Sequence, residues 1–365
     1  MQITRLALHN YRNYASLTLS PAPGLNVLVG DNAAGKTNVL ESAFLAVIGR
    51  SHRTRTDAEL VKNGEDAASV DVTADTRAGT REVSVRIPRQ GRRKLLIDGA
   101  APGRTGELMG VINAVLFSPE DLSLIKGGPA ERRRFVDMAL SQEKPGYYYL
   151  LQRYGAALRQ RNALLKREEA PKDEEFLPWE EQLARSGSGL ILARAAFLRR
   201  LGETAGRLHD VITDGGEELT LSYMPNVPPD DEKALSDTLR QRLAADRTRD
   251  VYRGGTGAGP HRDDIAASIS GSDARTFGSQ GQQRTAALSL KLAELEILAL
   301  STGEKPILLL DDVFSELDRA RQRLLITACE GAQTFITCTH IDALENAGAV
   351  EMKRYNVRAG TVSEG

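Results

Sequence analysis

The sequence predicts an α/β fold into which a helical domain is inserted, and three observations lead there. A glycine-bracketed loop, Gly30 to Thr37, lies between an apolar strand and a helix-periodic segment. A second apolar run, Ile307 to Leu310, ends in two aspartates, the first of them 275 positions beyond Lys36. Between them, from about Glu131 to Arg249, strand-like alternation gives way to helical spacing. The expected organisation is therefore a discontinuous head of residues 1–120 and 255–365 and a helical insert of residues 121–254 with a short helical hairpin.

The elements follow in chain order. Alternation through Ile3, Leu6 and Leu8, and again through Leu17 and Leu19, gives two half-exposed strands, and Leu25 to Val29 gives a buried one. Val39, Leu40, Ala43, Phe44, Val47 and Ile48 share one helical face, which Gly49 ends. Short strands follow at Ser69 to Val72, Glu82 to Ile87, Leu95 to Asp98 and Val111 to Phe117, and Asp98-Gly99 signals a hairpin turn. In the insert, Leu151, Tyr154, Leu158 and Leu165 form one stripe. Leu183, Leu190, Phe197, Leu201 and Leu208 form another, beyond the Pro-containing acidic segment around Pro171 to Pro178. Arg153, Arg159, Arg161, Lys166 and Arg167 give the first of these helices a basic outer face, and the stripes are too brief for a long coiled coil. A strand at Leu219 to Tyr223 and a Gly-rich loop, Arg253 to Pro260, lead back to the head. There a helix from Gln282 to Leu300 and the strand Ile307 to Leu310 are followed by a helix after Leu317 and strands at Thr334 to Thr339 and Met352 to Val357.

Composition narrows the function classes. No run of about 18 apolar residues occurs, and Met1 to Asn10 lacks the pattern of a secretory signal, so a soluble, cytoplasmic protein with no membrane partner is expected. Cys329 and Cys338 are the two cysteines and are not spaced as a metal knuckle, so both read as buried free thiols. Lys plus Arg (48) balances Asp plus Glu (49), so attraction to nucleic acid has to come from local patches. Candidates are Arg50, His52, Arg53 and Arg55, then Arg89, Arg92, Arg93 and Lys94, then Arg132 to Arg134.

The chemistry is concentrated in a few segments. Gly30-Asp31-Asn32-Ala33-Ala34-Gly35-Lys36-Thr37 matches GxxxxGK[ST] in the context that pattern needs, after a buried strand and opening a helix. Its glycines let backbone N–H groups close around phosphates, Lys36 reaches the β and γ oxygens, and Thr37 ligates Mg²⁺. Ile307 to Leu310 then supplies a central strand with Asp311 at its end to hold the metal, while Asp312 is placed to orient an attacking water. Ser279-Gln280-Gly281-Gln282-Gln283 opens the long helix with a hydroxyl and free N–H groups, an anion-binding arrangement that is weak as an isolated signal.

These segments, with Ser315-Glu316-Leu317-Asp318 and Thr339-His340 after them, stand in the order of ABC-type ATPase heads, which the chain resembles. Asn32 and Asn38, Gly49-Arg50-Ser51-His52-Arg53-Thr54, Phe117-Ser118-Pro119-Glu120-Asp121 and Gly259-Pro260-His261-Arg262 make it similar to the RecF family, relatives of the structural-maintenance-of-chromosomes heads, over essentially its whole length. The resemblance implies ATP and Mg²⁺ as cofactors, and an ATP-bound homodimer in which Ser279, Gly281 and Gln282 meet the nucleotide held by the partner's Gly30–Thr37 loop. It implies Asp318 in a dimer-facing loop and His340 beside the γ-phosphate, so Asp312 and His340 are the catalytic candidates. It further implies weak, DNA-stimulated ATP hydrolysis, and binding to double-stranded or gapped DNA in recombinational repair with RecO and RecR to promote RecA loading. The DNA-contact candidates are Arg50, Arg53, Arg55, Arg92, Arg93 and Lys94, or the arginines of the helical stripe. Two departures from transporter ATPases, Asp312 in place of Glu and Ser118-Pro119-Glu120 where a glutamine loop is expected, argue against a transporter subunit. A nucleotide-controlled dimer with negligible turnover is the other alternative.

Overall fold

A computed structural model describes residues 1–167, 171–228, 234–349 and 351–365, in two compact units: residues 1–121 with 294–365, and residues 122–293. The chain begins with β1 (Gln2–Tyr11), β2 (Tyr14–Leu19), β3 (Leu25–Val29), α1 (Lys36–Ile48), β4 (Ala67–Thr76), β5 (Gly79–Pro88), β6 (Lys94–Ile97) and β7 (Ala114–Phe117). Next come α2 (Ser123–Lys126), α3 (Pro129–Glu143), α4 (Pro145–Leu164), α5 (Asp173–Ile212), β8 (Leu219–Met224), α6 (Leu235–Ala245), α7 (Arg247–Arg253), β9 (Asp264–Ile269) and β10 (Ser272–Asp273). Then α8 (Gln280–Thr302), β11 (Ile307–Asp311), α9 (Arg319–Cys329), β12 (Thr334–Cys338), α10 (Asp342–Asn346), β13 (Met352–Arg358) and β14 (Thr361–Glu364) complete it.

The first unit holds two sheets. One is antiparallel, in the order β2-β1-β4-β5-β6. Its strands alternate buried and exposed residues, as a sheet with one solvated face does. In β1 the buried set Ile3, Leu6, Leu8 breaks strict alternation, and a register shift between Ile3 and Arg5 returns Leu6 to the core side. The other sheet runs β14-β13-β3-β12-β11-β7, with β13, β3, β12, β11 and β7 mutually parallel. Its central strands are near-continuously apolar because both faces are covered. The head thus contains the discontinuous α/β core expected from the sequence. Helix α1 touches strands of both sheets, so it buries Glu41, Ser42, Leu45 and Ala46 as well as the one face its spacing suggests.

Two turns differ from expectation. Asp98 and Gly99 both adopt positive φ, but the turn closes Ile97 onto Ala100 through one bridge and no second strand follows. A further strand, β14, pairs with β13 across Ala359-Gly360, a two-residue turn with φ of 43° and 79° whose Ala first position carries no turn signature.

In the second unit α4 packs along α5, which is 40 residues long, and β8, β9 and β10 form a small sheet. The Pro-containing acidic segment around Pro171 to Pro178 lies mostly within a helix, since α5 begins at Asp173 and includes Pro178. Asp173, Glu174 and Glu175 in its first turn complement the helix dipole. Chain return to the first unit falls within α8 at Glu294, later than position 255, because β9 pairs with β8 rather than with the head sheets. The basic outer face of α4 needs one correction. Arg161 is fully buried, donating to Asp250 at 2.7 Å, Thr256 at 2.9 Å, the Leu243 carbonyl at 2.8 Å and Glu180 at 3.2 Å. Arg161 thus bridges two buried carboxylates, Asp250 and Glu180, and removing the arginine would leave the buried Asp250 carboxylate without its ion-pair partner, at a cost of about 3–5 kcal/mol.

Candidate nucleotide site

The parallel sheet places the functional segments at the carboxyl ends of three adjacent strands. The Gly30–Thr37 loop follows β3, Thr339 and His340 follow β12, and Asp311 ends β11 with Asp312 directly after it. This is the edge at which open α/β sheets bind ligands. Ala33 and Gly35 take φ of 64° and 118°, so the loop turns back on itself before α1 begins. A Cβ at Gly30 would lie 2.3 Å from the Val357 carbonyl oxygen, so only glycine lets β13 lie against the loop's first residue. Lys36 is largely buried and donates from Nζ to the Gly30 carbonyl at 2.6 Å and the Asp31 carbonyl at 2.8 Å, which sets its ammonium in the bowl of the loop.

Asp311 joins the two halves of the sequence. Its Oδ1 accepts from the Thr37 hydroxyl at 2.8 Å and from the Thr337 hydroxyl at 2.7 Å. Thr337 Oγ1 in turn accepts the Asp312 N–H at 2.9 Å. Asp312 is held at φ 51°, a left-handed conformation uncommon for a non-glycine residue and frequent where a fold aims a side chain for function. A hydroxyl and a carboxylate in contact are the hard oxygen donors that Mg²⁺ takes from a protein, and one or two such ligands suffice when phosphates and water complete the octahedron. The residues present fit Mg²⁺ at Thr37 and Asp311. His340 is exposed just beyond β12.

The Ser279–Gln283 segment is an exposed tip of the second unit. Ser279 caps α8, its Oγ accepting the Gln282 N–H at 3.2 Å while Gln282 Oε1 accepts the Ser279 N–H at 2.8 Å, a reciprocal box. Gln282 also reaches Glu217 at 3.0 Å. Buried Gln283 anchors the tip to the carbonyls of Ala274 and Arg275. Nothing crowds Gly281: the nearest atom a Cβ would meet is Ser279 Oγ, at 3.9 Å. Asp318 caps α9, accepting from the Ala320 and Arg321 N–H groups, and these bonds hold its carboxyl below the usual range.

Of the basic candidates, Arg50, Arg53, Arg55, Arg92 and Lys94 are exposed. Arg93 is engaged internally, pairing with Asp57 and donating to the Gly49 carbonyl, so its charge is already compensated. Arg53 donates to Asn38 Oδ1 at 3.0 Å.

Several residues at the site escaped the reading of motifs. Glu41, fully buried on α1, accepts from Arg12 Nε at 2.8 Å and Nη2 at 2.7 Å and from the Ser51 hydroxyl at 2.5 Å; burial raises its carboxyl, but these bonds outweigh that and hold it below the usual range. Asn13 Nδ2 donates to the Ala34 carbonyl at 3.0 Å, and Tyr14 donates to the Gly35 carbonyl at 3.1 Å. One signal was available: a lone glutamate among the apolar residues of α1 needs a buried cation.

Comparison with known proteins agrees with this geometry. Residues 2–363 match the family model described as the RecF/RecN/SMC N terminal domain. The DNA replication and repair protein RecF of Symbiobacterium thermophilum is 44% identical over 370 residues, covering 99% of this chain and 98% of that protein. The protein of the same name from Lachnoclostridium phytofermentans is 42% identical over 367 residues and the full length of both. A solved structure of the recombination mediator protein RecF with ATP, in the RecFOR pathway, superposes with a TM-score of 0.92 at 34% identity, covering 100% of this chain and 97% of that one. An Smc head domain from Pyrococcus furiosus, at 15% identity, shares the fold with a TM-score of 0.59 over 100% of this chain and 96% of its own. Among the described residues no helix is long and apolar enough to cross a membrane.

Proposed function

The chain belongs to the RecF family of ABC-type ATPases, and from that premise we propose that it is an ATP-dependent DNA-binding protein of recombinational repair and replication-gap processing. The observation that carries the reading is the Thr37–Asp311 hydrogen bond, which joins loop and strand across 274 residues, as a shared nucleotide and metal site requires. In this reading the loop N–H groups and Lys36 hold the triphosphate, and Thr37 and Asp311 would hold Mg²⁺, which would offset charge developing on the phosphate oxygens. Asp312 orients the attacking water and His340 contacts the γ-phosphate. Ser279, Gly281 and Gln282 complete the site of a second copy, with Asp318 at the dimer seam. ATP thereby closes a dimer on DNA, and slow, DNA-stimulated hydrolysis reopens it. RecO and RecR are the expected partners, RecA loading on gapped DNA the expected outcome, and the cytoplasm the expected location.

Exposed Arg50, Arg53, Arg55, Arg92 and Lys94 supply phosphate contacts, which are sequence-independent and salt-sensitive. Binding to single-stranded, double-stranded and gapped DNA, measured with and without ATP over a salt series, tests this. Affinity should rise with ATP, be highest for duplex-containing substrates, and fall linearly on a log–log plot against salt. Equal affinity with and without ATP on every substrate would sink the clamp. Asp312→Asn keeps the shape of the side chain and removes its charge, and is expected to lower ATP turnover by about a hundredfold or more, within the range general-base groups contribute, while ATP affinity stays near that of the wild type. Equal turnover in the two proteins would remove Asp312 from the mechanism.

A further inference from the structure

The β1–β2 hairpin belongs to the antiparallel sheet, yet its tip closes on the phosphate loop of the other. Arg12 and Asn13 form a two-residue turn between the paired residues Tyr11 and Tyr14, with Arg12 at φ 53°. Arg12 is tied to Glu41 of α1 and, through its own N–H, to the Leu60 carbonyl at 2.8 Å. The tip is therefore fixed independently of the contacts it makes next.

Those contacts are to two consecutive carbonyls. The Ala34 oxygen accepts from Asn13 Nδ2 at 3.0 Å and from the Gly360 N–H at 3.1 Å. The Gly35 oxygen accepts from the Tyr14 hydroxyl at 3.1 Å as well as from the Asn38 N–H at 3.0 Å. Asn13 Oδ1 accepts from Asn38 Nδ2 at 2.8 Å, which fixes the orientation of its amide. A Cβ at Gly35 would meet Asn13 and Tyr14 atoms at 2.6–2.9 Å, so the hairpin tip walls the loop directly. Burial pushes the Tyr14 phenol up, so it remains a donor throughout the physiological range.

In a trans peptide the carbonyl and the following N–H point in opposite directions. Drawing the Ala34 carbonyl outward turns the Gly35 N–H inward, and drawing the Gly35 carbonyl outward does the same for Lys36. At the amino end of α1 these N–H groups have no intrahelical carbonyl to donate to, which leaves them for the phosphates. We propose that Asn13 and Tyr14 are positioning residues for nucleotide binding, which preorganise the phosphate-facing N–H groups of Gly35 and Lys36 by holding the backs of their peptides. The inference rests on the nucleotide reading of the loop and adds a role for a hairpin outside every motif.

Titration of the full-length protein with ADP and with inorganic pyrophosphate, beside thermal melting without ligand, tests it. Tyr14→Phe retains the buried ring and deletes the donor. It should weaken ADP and pyrophosphate by the same factor, about three- to tenfold, the worth of one hydrogen bond, with a melting temperature close to that of the wild type. Asn13→Ala alters no buried ring and should show the same joint loss. Wild-type affinities for both ligands in the two variants would overturn the proposal, as would a loss for ADP with none for pyrophosphate. A wild-type protein that binds neither ligand would instead remove the nucleotide reading on which the proposal stands.

Discussion

Lys36→Ala is expected to abolish ATP-dependent dimerisation and ATP-dependent DNA binding together, with ATP affinity reduced by about two to three powers of ten. Lys36 places a cation in the bowl of the loop, where the carbonyl oxygens of Gly30 and Asp31 accept its protons. A bound triphosphate brings formal negative charge to the same place, and truncating one partner of a desolvated, hydrogen-bonded charge pair costs about 2–5 kcal/mol. Dimer and DNA affinity follow because ATP is the bond between the two copies in the proposed mechanism. Calorimetric ATP titration, sedimentation with saturating ATP, and DNA binding measured on one preparation would check it. ATP-dependent DNA affinity that survives in Lys36→Ala would break the link between nucleotide and DNA. The fold itself should tolerate the change, since the ammonium's two hydrogen bonds go to carbonyls of its own loop.

The parts of this site legible in the sequence are those encoded by contiguous residues. A buried strand, a glycine loop and a helix are consecutive at Leu25 to Ile48, and Leu310-Asp311-Asp312 carries both its strand and its carboxylates. Residues acting through distant pairing could not be read in this way. Thr337 is one of two threonines in β12, and its bond to Asp311 exists because β12 lies beside β11 in register. Asn13 and Tyr14 gain their role when an antiparallel hairpin meets a loop of another sheet. Arg161 illustrates the reverse: at helical spacing it belongs with the exposed arginines of α4, and four acceptors brought from Glu180, Leu243, Asp250 and Thr256 make it core. The displaced boundary near residue 255 has the same cause, because β9 finds its partner in β8 and the glycine-rich loop before it marks no change of unit.

Ser279→Arg is expected to leave ATP binding by each protomer intact and to hold the protein monomeric at ATP concentrations that dimerise the wild type. Ser279 lies on an exposed tip of the second unit, while Lys36, Thr37 and Asp311 belong to the first. A guanidinium at the amino end of α8 opposes the helix dipole and removes the Oγ cap on Gln282, a local cost of about 1 kcal/mol. That cost is separable, because Ser279→Ala removes the cap without adding bulk or charge. If the cap alone mattered, alanine and arginine would impair dimerisation equally. If the tip enters a tight seam against a partner's phosphates, arginine fills the space that the serine hydroxyl and the uncrowded Gly281 leave open, and its effect is far larger. Sedimentation with a nucleotide that is not hydrolysed distinguishes these results, since it removes turnover from the comparison. Full ATP-dependent dimerisation of Ser279→Arg would show that the tip faces solvent in the assembly, and the nucleotide would then have to be enclosed by one chain.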